Sequence, residues 1–158
     1  MARRVDLADV LGVIVSVVLV NLVGASPAVF VGSDTAWIDR PWFYPPEVLF
    51  PIVWTLLFTL LGVALYLVWK RGRGTRAGNV ALGVFVLQFG LNLAWTPVFF
   101  GLREPGLALG VIVLLWIAIV ATIIAFDRVD RRAALLIVPY LLWVSFATVL
   151  NAAIAIGA

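Results

Sequence analysis

Long unbroken runs of apolar residues, separated by short clusters of charge, proline and glycine, recur along the chain. The hydrocarbon core of a bilayer is about 30 Å thick and a helix rises about 1.5 Å per residue, so each crossing takes about 20 mostly apolar residues. Residues 8–31, 47–69, 79–100, 106–126 and 133–156 meet that length, and none has an ionised side chain in its middle. Continuous runs argue against a transmembrane barrel, whose strands alternate apolar with polar positions. The pattern predicts an all-α integral membrane protein: one domain spanning residues 1–158, built as a five-transmembrane-helix bundle.

Composition strengthens this expectation, because 65% apolar residues and a mean hydropathy of +1.17 exceed what a water-facing surface tolerates. The net charge of +3 does not point to nucleic acid, since the basic residues lie in short loops between apolar runs. Arg3 and Arg4, then Lys70, Arg71, Arg73 and Arg76, then Arg128, Arg131 and Arg132 fall on one side of an odd-numbered bundle, leaving only Arg40 and Arg103 on the other. The positive-inside rule then places the amino terminus in the cytoplasm and the carboxyl terminus outside. The first run has a second reading as a cleaved signal peptide ending near Gly24-Ala25-Ser26-Pro27-Ala28, but it is long enough to cross the membrane.

Cysteine and histidine are absent and Met1 is the only methionine, which removes the usual ligands for zinc, copper, iron–sulfur clusters and most haems. The same absence removes thiol and Ser–His catalysis. No metal or required cofactor is expected, and any chemistry would fall to aromatics, amides, hydroxyls or backbone. The lack of a mid-span charge also argues against an ion pump.

Proline marks the joints. Pro45-Pro46 with Glu47 suits the first turn of the second helix, and Glu104-Pro105 the start of the fourth. Pro51, Pro97 and Pro139 fall inside spans, where each should bend its helix and open room between neighbours. Gln88 and Asn92, four apart with Trp95 three further on, share one face of the third helix, and their amides should turn away from lipid. Tyr140, Trp143, Ala147 and Asn151 form a stripe on the fifth helix; Phe50, Trp54 and Phe58 form one on the second. Such stripes either pack the bundle or line a flat-walled apolar pocket with a few directional polar groups. Trp37 and Trp69 fall near the expected interfaces, as belt anchors. Gly106 with Gly110, and Gly90 with Ala94, offer small faces for close helix contact within the bundle or between copies.

Three blocks carry a family resemblance: Arg40-Pro41-Trp42-Phe43-Tyr44-Pro45-Pro46 running on to Phe50-Pro51-Ile52-Val53-Trp54-Thr55-Leu56-Leu57-Phe58; Leu91-Asn92-Leu93-Ala94-Trp95-Thr96-Pro97-Val98-Phe99-Phe100; and Val138-Pro139-Tyr140-Leu141-Leu142-Trp143 through Phe146-Ala147-Thr148-Val149-Leu150-Asn151. In order and spacing, over residues 37–151, they resemble the translocator protein family, also called TspO/MBR or tryptophan-rich sensory proteins. The resemblance implies a bundle, often dimeric, that binds tetrapyrroles such as protoporphyrin and haem, with Trp54, Asn92, Trp143 and Ala147 in the pocket and Trp42 in the loop covering its mouth. It also implies a possible light-dependent breakdown of porphyrin through Trp54 and Trp143. This chain departs from the family where many members have tyrosine and it has Phe58, and its Trp37 to Arg40 segment is shorter. It ends at Ala158 without the Tyr-containing sterol segment of animal members, so sterol transport is not expected.

The expected function is therefore a membrane-embedded binding protein or transporter for tetrapyrroles or similar planar hydrophobic ligands, with a possible regulatory role. Light-driven porphyrin degradation and a signalling scaffold are the alternatives. Trp42, Trp54, Phe58, Gln88, Asn92, Trp95, Tyr140, Trp143 and Ala147 are the candidate ligand residues, and Arg40 and Arg103 the candidate propionate contacts. The expected partners are the bilayer, the ligand and a second copy of the chain, in a prokaryotic plasma membrane.

Overall fold

The computed structural model describes residues 5–32 and 34–157. The topology signal carried by Arg3 and Arg4 lies outside the described residues. Five helices long and apolar enough to cross a membrane follow in order: α1 (Leu7–Val31), α2 (Leu49–Gly72), α3 (Arg76–Thr96), α4 (Pro105–Asp127) and α5 (Arg131–Ile156). A π-helical turn, Pro97–Gly101, continues α3. No strand occurs among the described residues. The chain is thus an all-α, multi-pass membrane protein. Its shortest helix, of 21 residues, is about 31 Å long, enough to cross the hydrocarbon.

The ends of the helices follow from local chemistry. Thr75 caps α3 by accepting from the Gly78 amide at 3.0 Å, and Asp130 caps α5 by accepting from the Arg132 amide at 2.9 Å. Gly157, at φ 72°, closes α5 in the left-handed region that a residue without Cβ reaches freely. Pro105 opens α4 at its first position, as expected.

Two expectations about proline change. Helix α2 begins at Leu49, so Pro45, Pro46 and Glu47 belong to the preceding loop, and no acid stands in the first turn. Pro51 is then the third residue of α2, where its missing N–H would have had no partner within the helix, so no bend is required there. Pro97 does more than bend α3: it starts the π-helical turn, whose wider ladder shows in the Leu102 N–H reaching the Pro97 carbonyl at 2.9 Å. Pro139 lies inside α5, as does Pro27 inside α1.

Helices α2, α3, α4 and α5 share one core, with Leu61, Val68, Phe85, Ile119, Phe126 and Ile137 buried inside it. Helix α1 joins from the side, and Val20 is its only buried residue. Its seam with α2 depends on the absence of side chains. A Cβ on Gly62 would lie 2.6 Å from the Val17 Cα, and one on Gly12 2.3 Å from the Tyr66 ring. Across this seam Ser16 Oγ donates to the Gly62 carbonyl at 2.7 Å, Tyr66 donates to Asp9 at 2.7 Å, and Lys70 pairs with Asp9. At the next turn Gly72 and Gly78 meet backbone to backbone.

By contrast, a Cβ on Gly90, Gly106 or Gly110 would meet nothing within 4 Å, and Ala94 is exposed. These small faces serve no contact inside the bundle. Trp69 is half exposed with Arg73 over its ring at 4.7 Å, in keeping with an interfacial anchor. Trp37 also packs against Phe99 at 5.4 Å, and its indole N–H donates to the Asp34 carbonyl at 2.8 Å, pinning the α1–α2 loop onto the bundle.

Gly62→Ala should destabilise the protein by about 1–3 kcal/mol through overpacking against Val17. Gly83→Ala, in open space, should be neutral or slightly stabilising. Thermal unfolding in detergent, followed by circular dichroism, checks both; equal midpoints would contradict the seam.

Candidate functional site

A cavity of about 420 Å³ opens at the end of the bundle where the α1–α2 loop and the π-helical turn meet. Helix α2 supplies Phe50, Trp54 and Phe58 to its wall, four residues apart and so on one face, as their spacing predicts. Trp54 and Phe58 lie 5.3 Å apart, and Phe50 meets Trp143 of α5 edge-on at 6.0 Å. Trp143 and Ala147 form the facing wall, and Asn92 and Trp95 come from α3. The two indoles expected to converge, Trp54 and Trp143, both line this one cavity.

The polar groups are arranged in two relays. Asn92 Nδ2 donates to the Tyr140 hydroxyl at 2.7 Å, which donates to Gln88 Oε1 at 2.9 Å. Gln88 and Tyr140 are fully buried and do not line the cavity; they stand behind Asn92 and orient it. With Nδ2 engaged, Asn92 keeps its carbonyl oxygen as an acceptor. In the second relay, the Trp95 indole N–H donates to Asn151 Oδ1 at 2.9 Å, and Asn151 Nδ2 donates to the Pro105 carbonyl at 2.8 Å. Trp95 therefore offers the cavity a ring face and no donor. The buried Trp143 Nε1 has no partner, and neither has Gln88 Nε2. An unmet buried donor costs about 1–3 kcal/mol, and both of these atoms are shielded by their protein neighbours.

The π-helical turn sets the remaining aromatics. Phe99 is buried and stacks on Trp95 at 4.7 Å with 20° between planes, and Phe100 meets Trp95 edge-on at 5.8 Å. Both Phe99 and Phe100 line the cavity. Their position depends on the widened turn, which sequence periodicity does not encode.

At the mouth, Glu47 accepts from Thr35 and pairs with Arg40, whose guanidinium lies over the Tyr44 ring at 4.9 Å. Thr35, Tyr44 and Glu47 all line the cavity. The Thr35 hydroxyl, and then the Arg40 charge, hold the Glu47 carboxyl below its usual range. A depressed carboxylate keeps its contribution at neutral pH and loses it as pH falls through the lowered value. This strap is therefore fastened under ordinary conditions. Arg103, whose φ is 54°, pairs with Asp34 at 3.4 Å. Neither Arg40 nor Arg103 lines the cavity, and both already have acidic partners. Trp42 is 95% exposed, packed on Phe43 alone among the aromatics, and stands away from the cavity wall. Phe43 instead turns inward, edge-on to Phe146 at 6.3 Å.

Sequence reasoning missed the contribution of α1. Asn21, Gly24, Ala25 and Ala28 complete the wall, and Gly24 matters because a Cβ there would lie 2.6 Å from the Phe58 ring. The signal was a lone amide followed by small residues on one helical face, in the stretch that also reads as a cleavage site.

The TspO/MBR family matches residues 13–156. A tryptophan-rich protein TspO from Chlorobaculum tepidum is 45% identical over 133 residues, covering 82% of this chain and 84% of that protein. The tryptophan-rich sensory protein of Cereibacter sphaeroides is 39% identical over 114 residues, covering 72% and 70%. The human translocator protein is 40% identical over 124 residues, covering 76% and 73%. With the match running through every helix, the chain belongs to the TspO/MBR family.

Proposed function

We propose that this chain binds a planar, hydrophobic ligand of the tetrapyrrole class in the cavity between Trp54 and Trp143. The observation that carries the reading is that Trp54 and Trp143 face each other across one cavity whose wall also holds Asn92, with its carbonyl oxygen left to accept. Flat rings satisfy the walls by stacking, and a pyrrole N–H satisfies the Asn92 carbonyl oxygen. A volume of about 420 Å³ lies within the usual range of small-molecule sites. Names such as "sensory protein" and "translocator protein" among the relatives agree with ligand handling in a membrane. By the positive-inside rule the cavity opens on the outer side, and the open faces at Gly90, Ala94, Gly106 and Gly110 would seat a second copy.

Titrating the purified protein with protoporphyrin, followed by tryptophan quenching and by porphyrin absorbance, should give saturable binding. Asn92→Ala and Trp143→Phe should each weaken it. Tyr140→Phe, which touches no ligand in this reading but frees the Asn92 amide, should cost about 1 kcal/mol, or about fivefold in Kd. Unchanged affinity in Trp143→Phe and Asn92→Ala would sink the assignment.

In the same reading, ligand propionates reach Arg40 and Arg103 by exchanging with Glu47 and Asp34. Since exposed ion pairs are worth about 0.2–1 kcal/mol, Arg40→Gln with Arg103→Gln should weaken protoporphyrin a few-fold and its dimethyl ester less. Equal losses for acid and ester would remove the propionate contact.

A second reading, light-dependent porphyrin breakdown, draws on the presence of both indoles around one cavity. Under illumination in air, the parent should bleach bound protoporphyrin faster than Trp143→Phe at matched occupancy. A rate equal to that of free pigment would leave a binder alone.

A further inference from the structure

A groove of about 570 Å³ runs between α3 and α4 at the end of the bundle opposite the cavity. Its floor is apolar, with Val80 and Val84 from α3 and Ala121 and Ile124 from α4, and its rim carries Arg76 and Arg128. Val80 is 49% exposed and Ile124 54%, so the floor is open to whatever surrounds the bundle at that depth. Val84 lies about 12 Å along α3 from Arg76, so the rim sits at headgroup level when the floor is in the acyl region.

Most of the other described cations at this end are committed, with Arg131, exposed at the start of α5 outside the groove, the exception. Lys70 pairs with Asp9, Arg71 and Arg132 both pair with the buried Asp130, and Arg73 lies over Trp69. Among the described residues neither Arg76 nor Arg128 lies within ion-pair distance of a carboxylate, although Asp127 precedes Arg128 in the chain. Arg76, as the first residue of α3, also faces the positive end of that helix dipole, which an anion would relieve. Two unpaired guanidiniums above an apolar trough between membrane helices are complementary to a phosphate joined to acyl chains.

We propose that this groove is a binding site for an anionic phospholipid, with its phosphate held between Arg76 and Arg128 and an acyl chain laid along Val80, Val84, Ala121 and Ile124. The site is separate from the aromatic cavity and does not depend on what that cavity binds. It would fix a charged lipid at the α3–α4 seam.

The test uses the full chain in nanodiscs of phosphatidylcholine with spin-labelled phosphatidylglycerol or spin-labelled phosphatidylcholine, reading the motionally restricted fraction by electron spin resonance. The parent should favour phosphatidylglycerol. Arg76→Gln and Arg128→Gln should each lower that preference about fivefold, the equivalent of about 1 kcal/mol per basic residue. Arg131→Gln, a cation exposed outside the groove, should leave most of it. Ala121→Trp, which fills the trough while keeping both arginines, should also lower the restricted fraction. Equal preference in the parent and the Arg76→Gln/Arg128→Gln double variant would overturn the site, as would an Arg131→Gln loss as large as theirs, which would indicate diffuse surface charge. Displacement by inorganic phosphate as readily as by unlabelled phosphatidylglycerol would assign the rim to free phosphate and overturn the lipid.

Discussion

Tyr140 is wholly buried between α3 and α5, with its hydroxyl accepting from Asn92 and donating to Gln88. In a water-exposed protein such a relay would compete with solvent, but at membrane depth no solvent is available and polar groups depend on protein partners. One phenol thereby accounts for a donor on Asn92 and an acceptor on Gln88, on a helix that otherwise presents apolar surface. The relay also fixes which way Asn92 turns, leaving its carbonyl oxygen for the cavity. Trp95 and Asn151 repeat the arrangement one turn further along, tying α3 to α5 and on to the start of α4. Asn92 is thus held from behind by Tyr140 and Gln88, which do not line the cavity, while Trp95 and Asn151 brace one another within its wall.

The opposite wall is set by a different constraint. Helix α1 approaches α2 closely only because Gly12, Gly24 and Gly62 lack side chains, and Gly24 faces the Phe58 ring directly. A tyrosine in place of Phe58 would carry a hydroxyl into this region; phenylalanine leaves the wall purely apolar there. Asn92 and Asn151 thus bring amides from α3 and α5, while α1 and α2 contribute mainly shape and stacking surface, with Asn21 and Thr55 their polar groups at the wall. The loop above them is closed by charge, with Glu47 joining Thr35 and Arg40, and by Trp37 packing on Phe99.

The five spans are legible because membrane insertion demands long apolar runs, a constraint written residue by residue. The stripes at Phe50, Trp54 and Phe58 and at Trp143 and Ala147 are legible because helical period alone puts them on one face. What periodicity cannot do is separate a side chain that lines a cavity from one that supports it: Gln88 and Tyr140 share faces with Asn92 and Trp143 yet end up behind the wall. Nor does it report partners, so Arg40 and Arg103 read as free cations until Glu47 and Asp34 come beside them. The π-helical turn after Pro97 changes the register at the point where Phe99 and Phe100 enter the site, and Trp42 stands outside it because its loop turns Phe43 inward instead.

The two ends of the bundle use charge in opposite ways, and the difference follows from where each is solvated. At the cavity end both arginines are paired with acids across the mouth, so the charges brace a loop and cancel locally. At the other end Asp130, almost fully buried at the α5 cap, draws in Arg71 and Arg132. Burial alone would raise its carboxyl, yet hydrogen bonds and charge from Arg132, with Arg71 adding to them, outweigh that and hold it below the ordinary range. A carboxylate so stabilised absorbs two cations and ties the last turn of α2 to the start of α5. Arg76 and Arg128 lie outside that cluster, at the rim of the α3–α4 groove, so part of the positive charge of this end stands over that groove.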